Sequence, residues 1–224
     1  MTKPDIAAPG LETLAAVNPE CGQYGLMSGT SMASPHIAGA AMLLRAAHPD
    51  WTPAEVKSAM MLTAVGGFRE DATTPWTPDD IGSGRVDLGA AARVGFVMDI
   101  ANYFPANVSL PSAADQRTIN LPSMRTSTCS KANGCTWTRT LRNVLAANTT
   151  WNVTVSSPST DIPLTVTPST FSFGGGDLVF ADGSDDGVVV RQGGVHRGER
   201  SCAAGNDDGC AESVELDKPA NGLC

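Results

Sequence analysis

The chain has 224 residues, 17% charged and 42% apolar, with a net charge of −8. That composition suits a globular protein rather than a wholly disordered one, and the acidic balance argues against nucleic acid as a partner, because phosphate binding needs a basic surface. No run of 18 apolar residues occurs, so no membrane span is expected, and the first twenty residues lack the basic-then-apolar layout of a signal peptide.

In chain order, KPDIAAPG (residues 3–10) reads as a short buried strand running into a Pro-Gly turn. GTSMASPHIAG (29–39) follows, a serine between glycines with a histidine five residues on. Ile37, Ala40, Ala41 and Leu44 then recur at helical spacing. They predict a helix over 35–47, apolar nearly all round and so suited to burial on every side, which would expose Ile37, Met42, Leu43 and Leu44 where such cover is absent. Thr52, Pro53 and Glu55 form a capping box with proline at the first helical position. They predict a second helix with Val56, Ala59, Met60 and Thr63 inward, a Trp51–Val56 staple, and an end at Gly66-Gly67. IGSGRVDLGAAARVGF (81–96) reads as a turn and a short helix closing an α/β domain, residues 1–95.

The texture then changes. TWTRTLRNV, TWNVTVSS and LTVTPSTFSF alternate in the manner of a β-sandwich, and residues 98–176 supply about five strands of the seven such a sandwich needs. Residues 177–224 carry ten acidic against four basic side chains and little apolar material. They predict an acidic Gly/Asp-rich tail, with only LVF and VVV as apolar runs, most of it disordered because its burial would not offset its ordering entropy.

Ser31 lies where a glycine-flanked turn enters a helix, a place that presents its hydroxyl and favours negative charge nearby. Gly29 permits close approach of a substrate backbone and is the candidate substrate-binding residue. His36 is an unsuitable base: five residues along a helix is about 1.4 turns, which turns its ring away.

GTSMASPHIAGAAMLL resembles the nucleophile segment of subtilisin-like serine proteases, the subtilases. KPDIAAPG resembles the strand and turn before it, and HPDWTPAEVKSAMMLTA and GSGRVDLGAA the helices after it. CTWTRTLRNVLAANTTWNVTVSS resembles the fibronectin-type-III-like domain that follows the catalytic domain in large subtilases. The resemblance implies a partial α/β subtilisin-like domain joined to a partial all-β sandwich, and a secreted serine endopeptidase acting on protein or peptide substrates without a cofactor. Ser31 would be its nucleophile, with its backbone N–H in the oxyanion hole. The family's order of catalytic residues is Asp, His, Ser. No HGTH-like or Asp-Thr-Gly-like string precedes Ser31. The chain therefore looks like the C-terminal part of a larger protease, inactive without the missing N-terminal part of its catalytic domain. The rival reading is a non-enzymatic relic or a binding module built on the β-sandwich.

Cys129 and Cys135 frame the loop CSKANGC, compatible with a disulfide in an oxidising compartment. Cys21, Cys202, Cys210 and Cys224 have no evident partners. Cys202 and Cys210 with His196 make a poor metal site, and DGSDDG lacks the glutamate of a calcium loop. No metal ligand is expected, although full subtilases often bind calcium. Asn107, Asn148 and Asn152 each open an N-x-[ST] sequon. Thr/Asn-rich strands generate that pattern by chance, so the sequence alone gives it little weight.

Overall fold

Helices dominate the chain up to residue 94 and strands dominate beyond it. A computed structural model describes residues 3–17, 23–69, 71–98, 120–124, 135–139, 141–156, 164–173, 188–192 and 213–216. Two compact units part between Val94 and Gly95.

The first unit opens on an antiparallel hairpin, β1 (Thr13–Ala16) and β2 (Tyr24–Met27), with Leu14 opposite Leu26. Helix α1 (Thr30–Ala47) follows, then α2 (Pro53–Leu62), α3 (Pro78–Ile81) and α4 (Leu88–Ala91). Ala40 and Leu44 of α1, Val56, Ala59, Met60 and Met61 of α2, and Ala91 of α4 form the buried core.

The capping box is present as written in the sequence. The Thr52 hydroxyl accepts from the Glu55 N–H at 3.2 Å, and the Glu55 carboxylate accepts from the Thr52 N–H at 2.8 Å. Trp51, beside that cap, is 2% exposed. Its ring stacks on His48 with centroids 3.9 Å apart. The helix stops at Leu62 with Thr63 as its cap, before the two glycines. At α3, a helix not expected from the sequence, Pro78 again stands at the first position, and the Asp80 carboxylate accepts from the Thr77 N–H at 2.9 Å and from its hydroxyl at 2.7 Å.

Two expectations for this unit need correction. The predicted strand over 3–10 reduces to Ala7, in an isolated parallel bridge with Arg85. A strand exists only through its neighbours, and among the described residues Ala7 alone finds one. The exposure expected of Leu44 on α1 also fails, since that side chain is 1% exposed. Met42 is 71% exposed and Leu43 62%, because α2 and α4 cover only one side of the helix.

Among its described residues, every strand pairing of the second unit is antiparallel. Strand β3 (Phe96–Val97) pairs with β5 (Arg142–Asn143). The others are β4 (Cys135–Arg139), β6 (Thr149–Ser156), β7 (Leu164–Thr167), β8 (Thr170–Phe173), β9 (Val188–Gln192) and β10 (Ser213–Leu216). They form two three-stranded sheets, ordered β10-β6-β8 and β4-β9-β7. Phe96 meets the edge of Trp151 at 5.0 Å, and Phe171 and Phe173 complete the aromatic cluster. The side chain of Arg139 is buried, with its Nε–H donating to the Leu121 carbonyl at 2.6 Å. Burial pulls its pKa down to about 10.

Within the tail expected to be mostly disordered stand β9 and β10. Val188, Val189 and Val190 are a β-branched run of strong strand propensity. Both edges of β9 are paired, with Val190 opposite Trp137 on one side and Val166 on the other. The other tail residues, including His196, Cys202, Cys210 and Cys224, lie outside the described residues, as do Cys21, Asn107 and Cys129. The Cys129–Cys135 pairing therefore falls outside them too.

Candidate functional site

Ser31 occupies the first turn of α1 and is exposed to solvent. Gly29 caps the helix with φ 153°, in the region that L-residues rarely adopt. That conformation turns the chain abruptly from β2 into α1. The Gly29 carbonyl accepts from Met32 N–H at 3.0 Å and Ala33 N–H at 3.3 Å, closing the first turn. The Ser31 amide has no carbonyl four residues back inside the helix, so it belongs to the free N–H groups at the positive end of the dipole.

The turn is held from outside. Gly29 N–H donates to the Gly10 carbonyl at 2.7 Å. A Cβ on Gly10 would stand 2.8 Å from the Gly29 carbonyl oxygen and 3.2 Å from the Ala33 Cβ, so only glycine lets these segments meet. The Ser28 hydroxyl accepts from Glu12 N–H at 2.9 Å and ties the same two segments again. KPDIAAPG thus acts less as a strand than as a brace for the serine turn. Proline contributes as well. Pro35 stands four residues after Ser31 inside α1 and has no N–H to offer the Ser31 carbonyl.

Neither described histidine is placed beside Ser31: His36 lies five residues further along α1, and His48 is the cap at its far end. His36 Nδ1 donates to the Met32 carbonyl of its own helix at 2.8 Å. His48 Nε2 donates to the Ala92 carbonyl at 3.0 Å, tying the end of α1 to the end of α4.

An apolar concavity of about 420 Å³ opens beside α1, lined by Ile6, Ile37, Ala41, Val56, Met60 and Met61. At its rim Asp5 pairs with Lys57 at 3.0 Å and also with Lys3. Partial burial pushes the Asp5 pKa up, but the two ammonium groups outweigh it, and the carboxyl sits below its ordinary value. Among the described residues no helix is long and apolar enough to cross a membrane.

Comparison with known proteins identifies this arrangement. Residues 1–96 match the model of the subtilase family, and residues 118–180 match that of a fibronectin type-III domain. Subtilisin-like protease SBT3.13 of Arabidopsis thaliana is 36% identical over 206 residues, covering 76% of this chain and 26% of that protein. Subtilisin-like protease SBT1.6 of the same plant is 42% identical over 118 residues, covering 45% of this chain and 15% of that protein. Subtilisin-like protease SBT1.7, also of that plant, is 31% identical over 211 residues, covering 76% of this chain and 28% of that protein. The chain therefore spans about a quarter or less of the length of these relatives. Residues 1–96 belong to the subtilase family, and a fibronectin type-III domain follows them in the same chain.

Proposed function

We propose that this chain carries the nucleophile of a secreted serine-type endopeptidase and is inactive until an imidazole from another segment reaches Ser31. The observation that supports this reading is the exposed Ser31 at the N-terminus of α1, on a turn braced by Gly10. Ser31 Oγ would attack the scissile carbonyl carbon. The Ser31 N–H and the helix dipole would stabilise the oxyanion that forms. The C–N bond would then break, the amine would leave with a proton, and water would hydrolyse the acyl-enzyme. Gly29, with no side chain, leaves room for the substrate backbone beside the nucleophile.

The silence of the chain by itself is supported by where its described histidines stand, His36 five residues beyond Ser31 on α1 and His48 at the far end of that helix. The reaction proposed draws on no cofactor, and its substrates are proteins or peptides. The missing catalytic parts would dock where α1 leaves Met42 and Leu43 exposed.

A fluorophosphonate probe tests this reading. The purified chain should remain unlabelled alone. It should be labelled stoichiometrically once the upstream part of a related subtilase is bound, and labelling should vanish in Ser31→Ala. Labelling of the chain alone would show that its base lies within these 224 residues. A complex that forms yet never labels would remove Ser31 from the chemistry.

A further inference from the structure

The concavity beside α1 lies on a different side of that helix from Met42 and Leu43. Ile37, Ala41 and Arg45 line it at intervals of four residues and so share one face. Met42 and Leu43 follow Ala41 by one and two residues, turned about 100° and 200° around the axis. Of the apolar lining, Val56 and Met60 are buried, but Ile6, Ile37 and Ala41 are only half-buried, so apolar surface is left uncovered. The charges at this place are unbalanced. Asp5, Arg45 and Lys57 also line the concavity. Asp5 is held between Lys3 and Lys57. Arg45 is exposed, and among the described residues it has neither an ion pair nor a hydrogen bond. One carboxylate thus stands among three cations, on a chain whose net charge is −8.

We propose that this concavity receives an apolar segment of the upstream part of the catalytic domain, and that an aspartate or glutamate of that segment pairs with Arg45. This rests on the reading of Ser31 above, which requires such a part. Apolar surface alone would fit many partners. The guanidinium beside it selects one that brings a carboxylate, because a second cation there would be repelled. The contact also reaches the nucleophile through the backbone. Ile6 belongs to the segment whose Gly10 carbonyl accepts from the Gly29 N–H at 2.7 Å. A partner resting on Ile6 therefore holds the brace in place, and with it the turn that presents Ser31.

The test co-expresses the full chain with the upstream part of a related subtilase as a second chain, and reads the affinity of the purified complex by sedimentation. Arg45→Glu should weaken it about tenfold or more, with the circular dichroism of the free chain unchanged, while Arg45→Lys retains it. The affinity of the unaltered chain should fall as salt is raised. In Arg45→Lys, a zero-length carbodiimide should couple the introduced amine to an aspartate or glutamate of the upstream part, identified by mass spectrometry. Hydrogen exchange at residues 29–33 should be slower in the complex than in the free chain. Undiminished affinity in Arg45→Glu, coupling at position 45 to this chain alone, or no complex at all would overturn the proposal. If the cross-link forms but a fluorophosphonate never labels Ser31, the reading of Ser31 fails and the partner of the concavity stands. If Ser31 is labelled while Arg45→Glu binds normally, the reading of Ser31 stands and the concavity is not the contact.

Discussion

The carbonyl of Gly10 and the N–H of Gly29 meet at 2.7 Å, so the Pro-Gly turn early in the chain fixes the backbone two residues before Ser31. Gly10→Ala should disrupt this, because its Cβ would face a backbone oxygen at 2.8 Å, and backbone cannot swing aside as a long side chain can. We expect local destabilisation of about 1–3 kcal/mol, read as faster hydrogen exchange at residues 29–33 with no change in the second unit. Unaltered exchange across 29–33 would mean that the brace does not hold the turn.

The Asp5–Lys57 pair joins the brace to α2, and its pH dependence has a definite sign. The Asp5 pKa is lowered from its ordinary 3.8, so the native state binds the proton less readily than the unfolded chain. The link is therefore fully present above pH 3.8 and is lost as pH falls through the lower native value. In an NMR titration the Asp5 carboxyl carbon should show a midpoint below 3.8, and Lys57→Gln should move it upward. A midpoint indifferent to Lys57 would contradict the pairing.

Strand β9 is tested through its backbone. Val189 pairs with Thr138 and with Thr167, so it sits mid-strand between two neighbours. Proline cannot donate in a central strand. Val189→Pro should abolish exchange protection at residues 136–138 and 165–167 while α1 and α2 keep theirs. If protection in β4 and β7 persists, β9 is not the strand that joins them.

The uncovered apolar surface of the first unit makes a further prediction. Leu14 and Leu26 face each other across the hairpin, each 67% exposed, and Met42 and Leu43 of α1 are exposed too. Patches of this kind drive association. The chain should self-associate at micromolar concentration, and Leu26→Lys with Leu43→Lys should shift it toward monomer in sedimentation velocity. A monomeric parent chain would show that this surface is harmless in water.

Much of the first unit was legible because its signals are local. Thr52, Pro53 and Glu55 lie within one turn, and the same logic applied to Thr77, Pro78 and Asp80 would have found α3. Ser31 was placed at the start of a helix for the same reason, although α1 begins at Thr30 rather than near Pro35. What escaped depends on distant partners. The hairpin strands TLAA and YGLM contain alanine and glycine, poor strand formers, and pairing alone makes them strands. Strand propensity at Val188–Val190 was masked by acidic flanks, and nothing near it in sequence names Trp137 and Val166 as its neighbours. The exposure of Met42 and Leu43 was legible from a helix apolar nearly all round, whereas the burial of Leu44 was not, because periodicity does not show which apolar residue finds cover.

The order of strands in the second unit dictates when it can form. β6 meets β10 only through pairs such as Ser156 with Ser213, and β4 reaches β7 only through β9. During synthesis at about 5–20 residues per second, β4, β6 and β7 wait on the order of seconds at the ribosome for the strands that close their sheets. Through that interval Trp137 lacks its strand partner Val190. Nascent-chain chaperones would therefore engage the second unit through that interval.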